Sequence, residues 1–175
     1  GIELEFTALL TDSLTLDANF GYLDTEITSS FEYLDNVVAQ QYSFTKEQDR
    51  YDLRADIIGN ELAKAPDLNI DVSLNYVTTL PNGNGLTSVL QFVKRGEFFQ
   101  RVANRPAQDA IPAYEIVNLS IGLEFSDNSS VDFIFTNLTD EDGINSSMTD
   151  VFGVAGTGIE LIPPRQLMTR YSIDF

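Results

Sequence analysis

The stretch that decides the fold lies at residues 166–175, which read QLMTRYSIDF. Leu167, Thr169, Tyr171, Ile173 and Phe175 share one face at a period of two, and mostly polar side chains occupy the other face. Because successive side chains of a strand point to opposite faces, this alternation predicts a β-strand with one apolar and one polar side. Chain ends are usually polar and loosely held, so an aromatic end of this kind is expected to be built into a sheet.

The same period-two alternation recurs through the chain, separated by clusters of turn-forming residues. The clearest example is the stretch around Val117 to Phe125, where large apolar residues alternate with small or polar ones. Helical periodicity is hard to find. Together with the last stretch, the pattern predicts seven strands, near residues 2–10, 14–24, 68–78, 86–95, 113–125, 131–138 and 166–175.

The connections between these strands alternate strictly between short and long. The long ones are loop A (residues 25–66), loop B (residues 96–112) and loop C (residues 139–165). Segments this long are usually functional or disordered. Short turns at one rim and long loops at the other, with strands of alternating polarity, are typical of outer-membrane barrels. The sequence therefore predicts an all-β fold, a transmembrane antiparallel up-and-down β-barrel with apolar side chains outward and polar side chains inward.

Composition excludes several classes of function. The formal net charge of −17 argues against binding to nucleic acid, whose phosphates would be repelled. No apolar run is long enough for a transmembrane helix. The sequence has neither cysteine nor histidine, which removes cysteine–histidine and serine–histidine–aspartate nucleophile systems and ordinary zinc sites. We therefore predict no catalytic residues, no cofactor, no metal site and no enzyme activity.

Seven strands do not make a closed barrel. Bacterial single-chain barrels have an even number of strands, and about eight is the smallest number that closes. Unpaired strand edges leave N–H and C=O groups without partners, and in hydrocarbon each such group costs several kcal/mol. The chain is therefore expected to be part of a larger barrel, with both edges paired to other strands.

Three motifs resemble one known family. Asn137-Leu138-Thr139-Asp140, the Pro164-Arg165 pair before the last strand, and the closing pattern of Tyr171, Ile173 and Phe175 are similar to the C-terminal third of the barrel of TonB-dependent outer-membrane receptors. The strand near residues 114–119 is similar to that family's antepenultimate strand. The likeness covers the whole chain in a consistent strand order.

The resemblance implies a parent barrel of roughly 22 strands with an N-terminal plug domain, which this chain does not contain. It implies a place in the bacterial outer membrane, with the long loops extracellular and the C-terminus periplasmic. The implied partners are the lipid bilayer, the rest of the barrel and its plug, TonB, a small-molecule substrate, and the assembly machinery that reads Tyr171, Ile173 and Phe175. The substrate could be a metal chelate, cobalamin or a carbohydrate.

Exposed loop aromatics and arginines on a rigid scaffold are where recognition usually lies, and they are predicted to contact the ligand. They are Tyr42, Tyr51, Phe98, Phe99, Arg101 and Arg105. Packing of one loop against another is an equally good interpretation of each. Two other functions also stay open: a passive porin or barrel scaffold that binds a partner, and a soluble β-sandwich binding module whose apolar faces pack together.

Overall fold

The computed structural model describes residues 1–29, 32–43, 54–150 and 156–174, and of residues 40–43 it describes the backbone alone. In chain order the elements are β1 (Ile2–Thr11), β2 (Leu14–Tyr22), β3 (Glu32–Leu34), α1 (Asn36–Ser43), β4 (Arg54–Asp56), β5 (Leu68–Thr79), β6 (Gly85–Arg95), β7 (Phe98–Phe99), α2 (Pro106–Asp109), β8 (Ala110–Ile111), β9 (Tyr114–Glu124), β10 (Ser129–Thr136), β11 (Ile144–Thr149), β12 (Thr157–Leu161) and β13 (Gln166–Ile173).

Seven of these strands form one antiparallel sheet in the order β1-β2-β5-β6-β9-β10-β13. Each strand therefore pairs with the large strands before and after it in the chain, which is up-and-down topology. The observed strand ends lie within two residues of those that the alternation predicts. The six other strands form three small hairpin sheets, one in each long connection.

The register sorts the side chains into one apolar and one polar face. One row that crosses all seven strands is wholly apolar: Ala8, Leu16, Leu74, Leu90, Leu119, Phe135 and Leu167. A row on the opposite face consists of Thr7, Asp17, Ser73, Gln91 and Asn118. Val89 and Val93, although apolar, belong to this polar face, because they lie opposite Asn75 and Asp71.

The apolar face has no second layer within the described residues. Leu90 and Phe133 lie on inner strands of the sheet, yet they are 43% and 37% exposed. In a β-sandwich a second sheet would cover such side chains. The three small sheets instead belong to the long loops, so the described residues do not have sandwich architecture.

The buried apolar residues lie in the loops and at the adjoining rim of the sheet. Loop A contributes Val37 and Ile57, loop B contributes Phe98 and Ile111, and loop C contributes Ile162; Tyr114, the first residue of β9, completes the set. β11 of loop C packs beside β8 and α2 of loop B. The loops that lack period-two alternation thus have a small core of their own.

Candidate functional site

The polar face of the sheet is tied together by hydrogen bonds between side chains. Gln91 Nε2 donates to Asp71 Oδ2 at 2.7 Å, and Asn118 Nδ2 donates to Gln91 Oε1 at 3.0 Å. The Asn137 backbone N–H then donates to Asn118 Oδ1 at 3.0 Å. This amide ladder crosses β5, β6 and β9 and ends where β10 leaves the sheet. Such a polar face suits contact with water or polar protein groups.

Further polar pairs lie at other positions of this face. Asp17 accepts hydrogen bonds from Thr7 Oγ1 and Asn75 Nδ2, each at 2.8 Å. Arg170 Nε lies 3.0 Å from Asp132 Oδ2. Carboxylates outnumber cations on the face, in keeping with the negative charge of the whole chain.

A cleft of about 600 Å³ opens on this face toward the long-loop rim. That volume lies within the range of small-molecule sites, roughly 300–1,000 Å³. Its charged and amide lining residues include Glu3, Glu5, Asn19, Asn69, Asp71 and Arg95. This open cleft is the candidate site, because charged and amide side chains line it together with apolar ones.

Loops B and C bound the rim near the cleft. The Arg95 guanidinium lies 4.3 Å from the centre of the Phe98 ring, a cation–π distance. Loop C passes so close to Tyr114 that a Cβ on Gly143 would lie 2.7 Å from Tyr114 Cγ. Only a residue without a side chain fits between the loop backbone and this ring.

Asn137 holds the start and the end of loop C together. It is 3% exposed and has a left-handed φ of 50°. Its Nδ2 donates to the carbonyls of Glu141 and Pro163 at 2.9 and 3.1 Å, and its Oδ1 accepts from the Glu141 N–H at 2.9 Å. Asparagine tolerates this backbone conformation better than most residues. One side chain thus joins the two ends of loop C.

The other motif residues lie around the same junction. Asp140 Oδ1 accepts from the Arg165 N–H at 3.0 Å, and the Arg165 guanidinium lies 3.4 Å from Asp140 Oδ2. The Leu138 N–H donates to the Val117 carbonyl at 2.8 Å. The side chains of Thr139 and Pro164 are exposed. The motif therefore has a local structural role that its sequence did not reveal, which is to close loop C.

The residues predicted to contact a ligand have different surroundings. Phe98 is 3% exposed, so its ring packs inside the loops, while Phe99 is half-buried. Arg101 and Arg105 pair with acidic residues of the same chain. The backbone of Tyr42 lies in α1, but its side chain and the whole of Tyr51 lie outside the described residues. Ligand contact stays a prediction for this set.

Two of the three residues of the predicted assembly signal are described. Tyr171 and Ile173 are exposed on β13, on the same face as the apolar row. Phe175 lies outside the described residues. Their role in assembly stays a prediction.

Two acidic residues outside the large strands have perturbed ionisation. Hydrogen bonds from the hydroxyl and the backbone N–H of Ser129 lower the pKa of Asp127. The Ser146 hydroxyl, and then the Asn145 amide, lower the pKa of Glu160 in the β11–β12 hairpin of loop C. In each case the donors favour the charged form of the carboxyl group.

Two features are absent from the described residues. No group of three or more acidic side chains there is arranged to hold a metal ion. No helix among the same residues is long and apolar enough to cross a membrane.

Comparison with known proteins gives matches to solved structures. Neither the profiles of known protein families nor the sequences of curated proteins match this chain. The crystal structure of FyuA, the ferric yersiniabactin uptake receptor of Yersinia pestis, matches 99% of this chain with a TM-score of 0.74 at 17% identity. PiuA, a siderophore receptor of Acinetobacter baumannii, matches 97% with a TM-score of 0.67 at 18% identity. This chain has the fold of a part of these receptors.

The match covers only 23% of FyuA and 21% of PiuA, so this chain spans less than a quarter of the length of either receptor. The fold class predicted from strand alternation is confirmed, and so is the predicted likeness to the barrel of TonB-dependent receptors. Both solved structures are named as receptors and not as enzymes.

Proposed function

We propose that this chain is part of a TonB-dependent outer-membrane receptor that takes up a scarce small molecule. The observation that carries the proposal is the match of nearly the whole chain to an uptake receptor. The division of the sheet into an apolar and a hydrogen-bonded polar face supports it, because a barrel wall has lipid on one side and a polar lumen on the other.

The same argument gives the proposed orientation. The apolar row faces lipid, and the amide ladder faces the lumen. Loops A, B and C lie together at one rim, which in outer-membrane barrels is the extracellular one. β13 then runs toward the periplasm, and Tyr171 and Ile173 lie on its lipid-facing side.

We propose that the cleft at the long-loop rim forms part of the ligand route. Its volume suits a molecule of siderophore or vitamin size, and Glu3, Glu5 and Asp71 give it an acidic wall. Phe99 and the two loop A tyrosines, Tyr42 and Tyr51, stay candidates for direct contact. The substrate classes under test are metal chelates, cobalamin and carbohydrates.

The experiment compares uptake in cells that carry the intact receptor, in its deletion strain and in a strain without TonB. Labelled ferric siderophores, cobalamin and oligosaccharides are offered singly at limiting concentration. Active transport predicts that accumulation of one of them is lost in both mutant strains.

Uptake that needs the receptor but persists without TonB would replace this proposal with a passive porin. Accumulation that is unchanged in the deletion strain for every compound would contradict an uptake role. Recovery of the intact receptor from buffer without detergent would contradict the membrane assignment.

A further inference from the structure

We infer that a largely buried cluster of four charged residues joins the described parts of loops A and B into a single body. The cluster, called here the charge latch, consists of Asp35 from loop A and Arg101, Arg105 and Asp109 from loop B. The inference assigns the two arginines a positioning role between loops instead of ligand contact. It concerns the ligand-free protein, so it can be tested independently of the proposed uptake function.

The charges alternate through the latch. Arg105 Nε pairs with Asp35 Oδ2, while Arg101 Nη1 lies 3.9 Å from Asp35 Oδ1. Arg101 Nε lies 2.6 Å from Asp109 Oδ1. Two carboxylates thus face two guanidinium groups, and Asp35 is the only one of the four that comes from loop A. Both ion pairs between the loops depend on that one carboxylate.

Because these ion pairs are largely buried, they are expected to control the contact between loops A and B. Asp35 and Asp109 are both 0% exposed, the Arg101 side chain is 16% exposed, and the Arg105 side chain, at the edge of the cluster, is 36% exposed. A charge removed from water needs a partner, and loss of one member leaves the other charge buried and uncompensated. A ligand in the cleft could reach the Arg101 guanidinium only if the loops opened. The Arg101 side chain is therefore buried as a member of an interior ion pair.

Each carboxylate also fixes the backbone of its own loop. The Val37 N–H donates to Asp35 Oδ1 at 3.0 Å and the Ala39 N–H donates to the Asp35 carbonyl at 2.9 Å, so Asp35 caps the start of α1. The Arg105 N–H donates to Asp109 Oδ2 at 2.9 Å across the turn that forms α2. The latch therefore couples the conformation of each loop to the contact between them.

A second set of contacts joins the same two loops at another place. Asn60 Nδ2 donates to the Val102 carbonyl at 2.8 Å. Asn104 Oδ1 accepts from the Glu61 N–H at 2.6 Å, and Asn104 Nδ2 donates to the Glu61 carbonyl at 3.2 Å. These contacts hold the Asn60–Glu61 part of loop A, away from Asp35, so loss of the latch is expected to release the β3–α1 part of loop A while the Asn60–Glu61 part stays joined to loop B.

The test places spin labels on both loops of the intact, detergent-solubilised protein. This chain has no cysteine, so Leu34→Cys in loop A, next to Asp35, and Ala107→Cys in loop B give two exposed labelling positions. Double electron–electron resonance (DEER) spectroscopy then measures the distribution of distances between the two spin labels without ligand. The latch predicts one narrow distance in the parent protein and a broad or multiple distribution after Asp35→Asn.

The matched control is Glu32→Gln. It lies in the same loop and removes a carboxylate that pairs with Arg54, but this carboxylate is 68% exposed. It should leave the distance narrow, because exposed ion pairs contribute little. A narrow distribution in Asp35→Asn, or equal broadening in both variants, would overturn the inference.

A second measurement guards against general misfolding. Hydrogen exchange of the Val37 amide should be about a hundredfold faster in Asp35→Asn, as expected from loss of a buried charge partner. Exchange in the β5–β6 ladder should stay unchanged. In Asp109→Asn the amides of α2 should likewise exchange faster. Unchanged exchange rates in both variants would contradict the latch.

Discussion

Replacement of Asn137 by alanine and by glycine would separate the two ways in which this residue fastens loop C. Alanine removes the three side-chain hydrogen bonds to Glu141 and Pro163 and keeps a Cβ on a backbone with φ of 50°. Glycine removes the same hydrogen bonds, but it adopts this backbone conformation without strain. The difference between the two variants therefore measures the backbone cost alone.

The structure gives the expected magnitudes. A net contribution of about 0.5–1.5 kcal/mol for each hydrogen bond makes the loss about 2–4 kcal/mol for glycine. A non-glycine residue in the left-handed region costs about 1–2 kcal/mol, while asparagine tolerates it. The alanine variant should therefore lose roughly 1 kcal/mol more than the glycine variant. Both figures refer to local opening of loop C and not to unfolding of the barrel.

Hydrogen exchange on the intact protein is the suitable assay, because it reports local opening. The Glu141 amide, which donates to Asn137 Oδ1, should exchange about a hundredfold faster in the glycine variant. In the alanine variant it should exchange about fivefold faster still, which corresponds to roughly 1 kcal/mol. The Ile162 amide, which bonds the Gly143 carbonyl at 2.9 Å, should follow the same order.

Asn75→Ala provides the control. Asn75 is another amide of the polar face, but its side chain bonds Asp17 and has no contact with loop C. Its loss should leave Glu141 exchange as in the parent protein. Equal rates in the alanine and glycine variants would refute the backbone argument, and parent-like rates in both would show that Asn137 does not hold the loop.

Three further outcomes are expected. Ile121→Arg on the apolar face should cost about 2–4 kcal/mol of unfolding free energy in lipid vesicles, and Ser120→Arg on the polar face much less; equal losses would contradict the proposed facing. Because the folded pKa of Glu160 lies below its ordinary value of 4.5, the β11–β12 hairpin gains stability above that pH and loses it as the pH falls through the folded pKa. Hydrogen exchange of the hairpin amides, measured as a function of pH, should show this loss of stability. The Glu160→Gln variant should lack this pH dependence. Gly143→Ala should destabilise loop C by about 1–3 kcal/mol through its clash with Tyr114, again measured by exchange, and parent-like exchange in this variant would contradict the close packing of loop C on the ring.

The large strands and their faces could be predicted from the sequence. A strand has a period of two, so the alternation in residues 166–175 or 113–125 specifies both the element and the face of each side chain. The alternation places even the apolar Val89 and Val93 on the polar face, because the face of every residue follows from that of its neighbours. The up-and-down topology was predicted from the short and long connections together with this alternation.

The structure inside the loops could not be predicted in this way. β3, β4, α1, β7, β8 and α2 are too short to show a period, and loops A and B lack the alternation that marks the large strands. The sequence indicated loop aromatics and arginines as contacts of some kind, but it left ligand contact and loop packing equally open. Only the tertiary structure shows that Phe98 is buried and that the two arginines pair with acidic residues.

What the sequence by itself determined is therefore the wall: seven amphipathic strands, ending in residues 166–175, with one face for apolar and one for polar surroundings. Only the tertiary structure decided how the long loops pack against one another at the rim of the sheet. Asp35 and Arg105 lie 70 residues apart, and no local pattern relates them. They meet because the sheet brings the ends of β2, β5, β6 and β9 to one edge, where the buried Asp35 carboxylate needs a cationic partner.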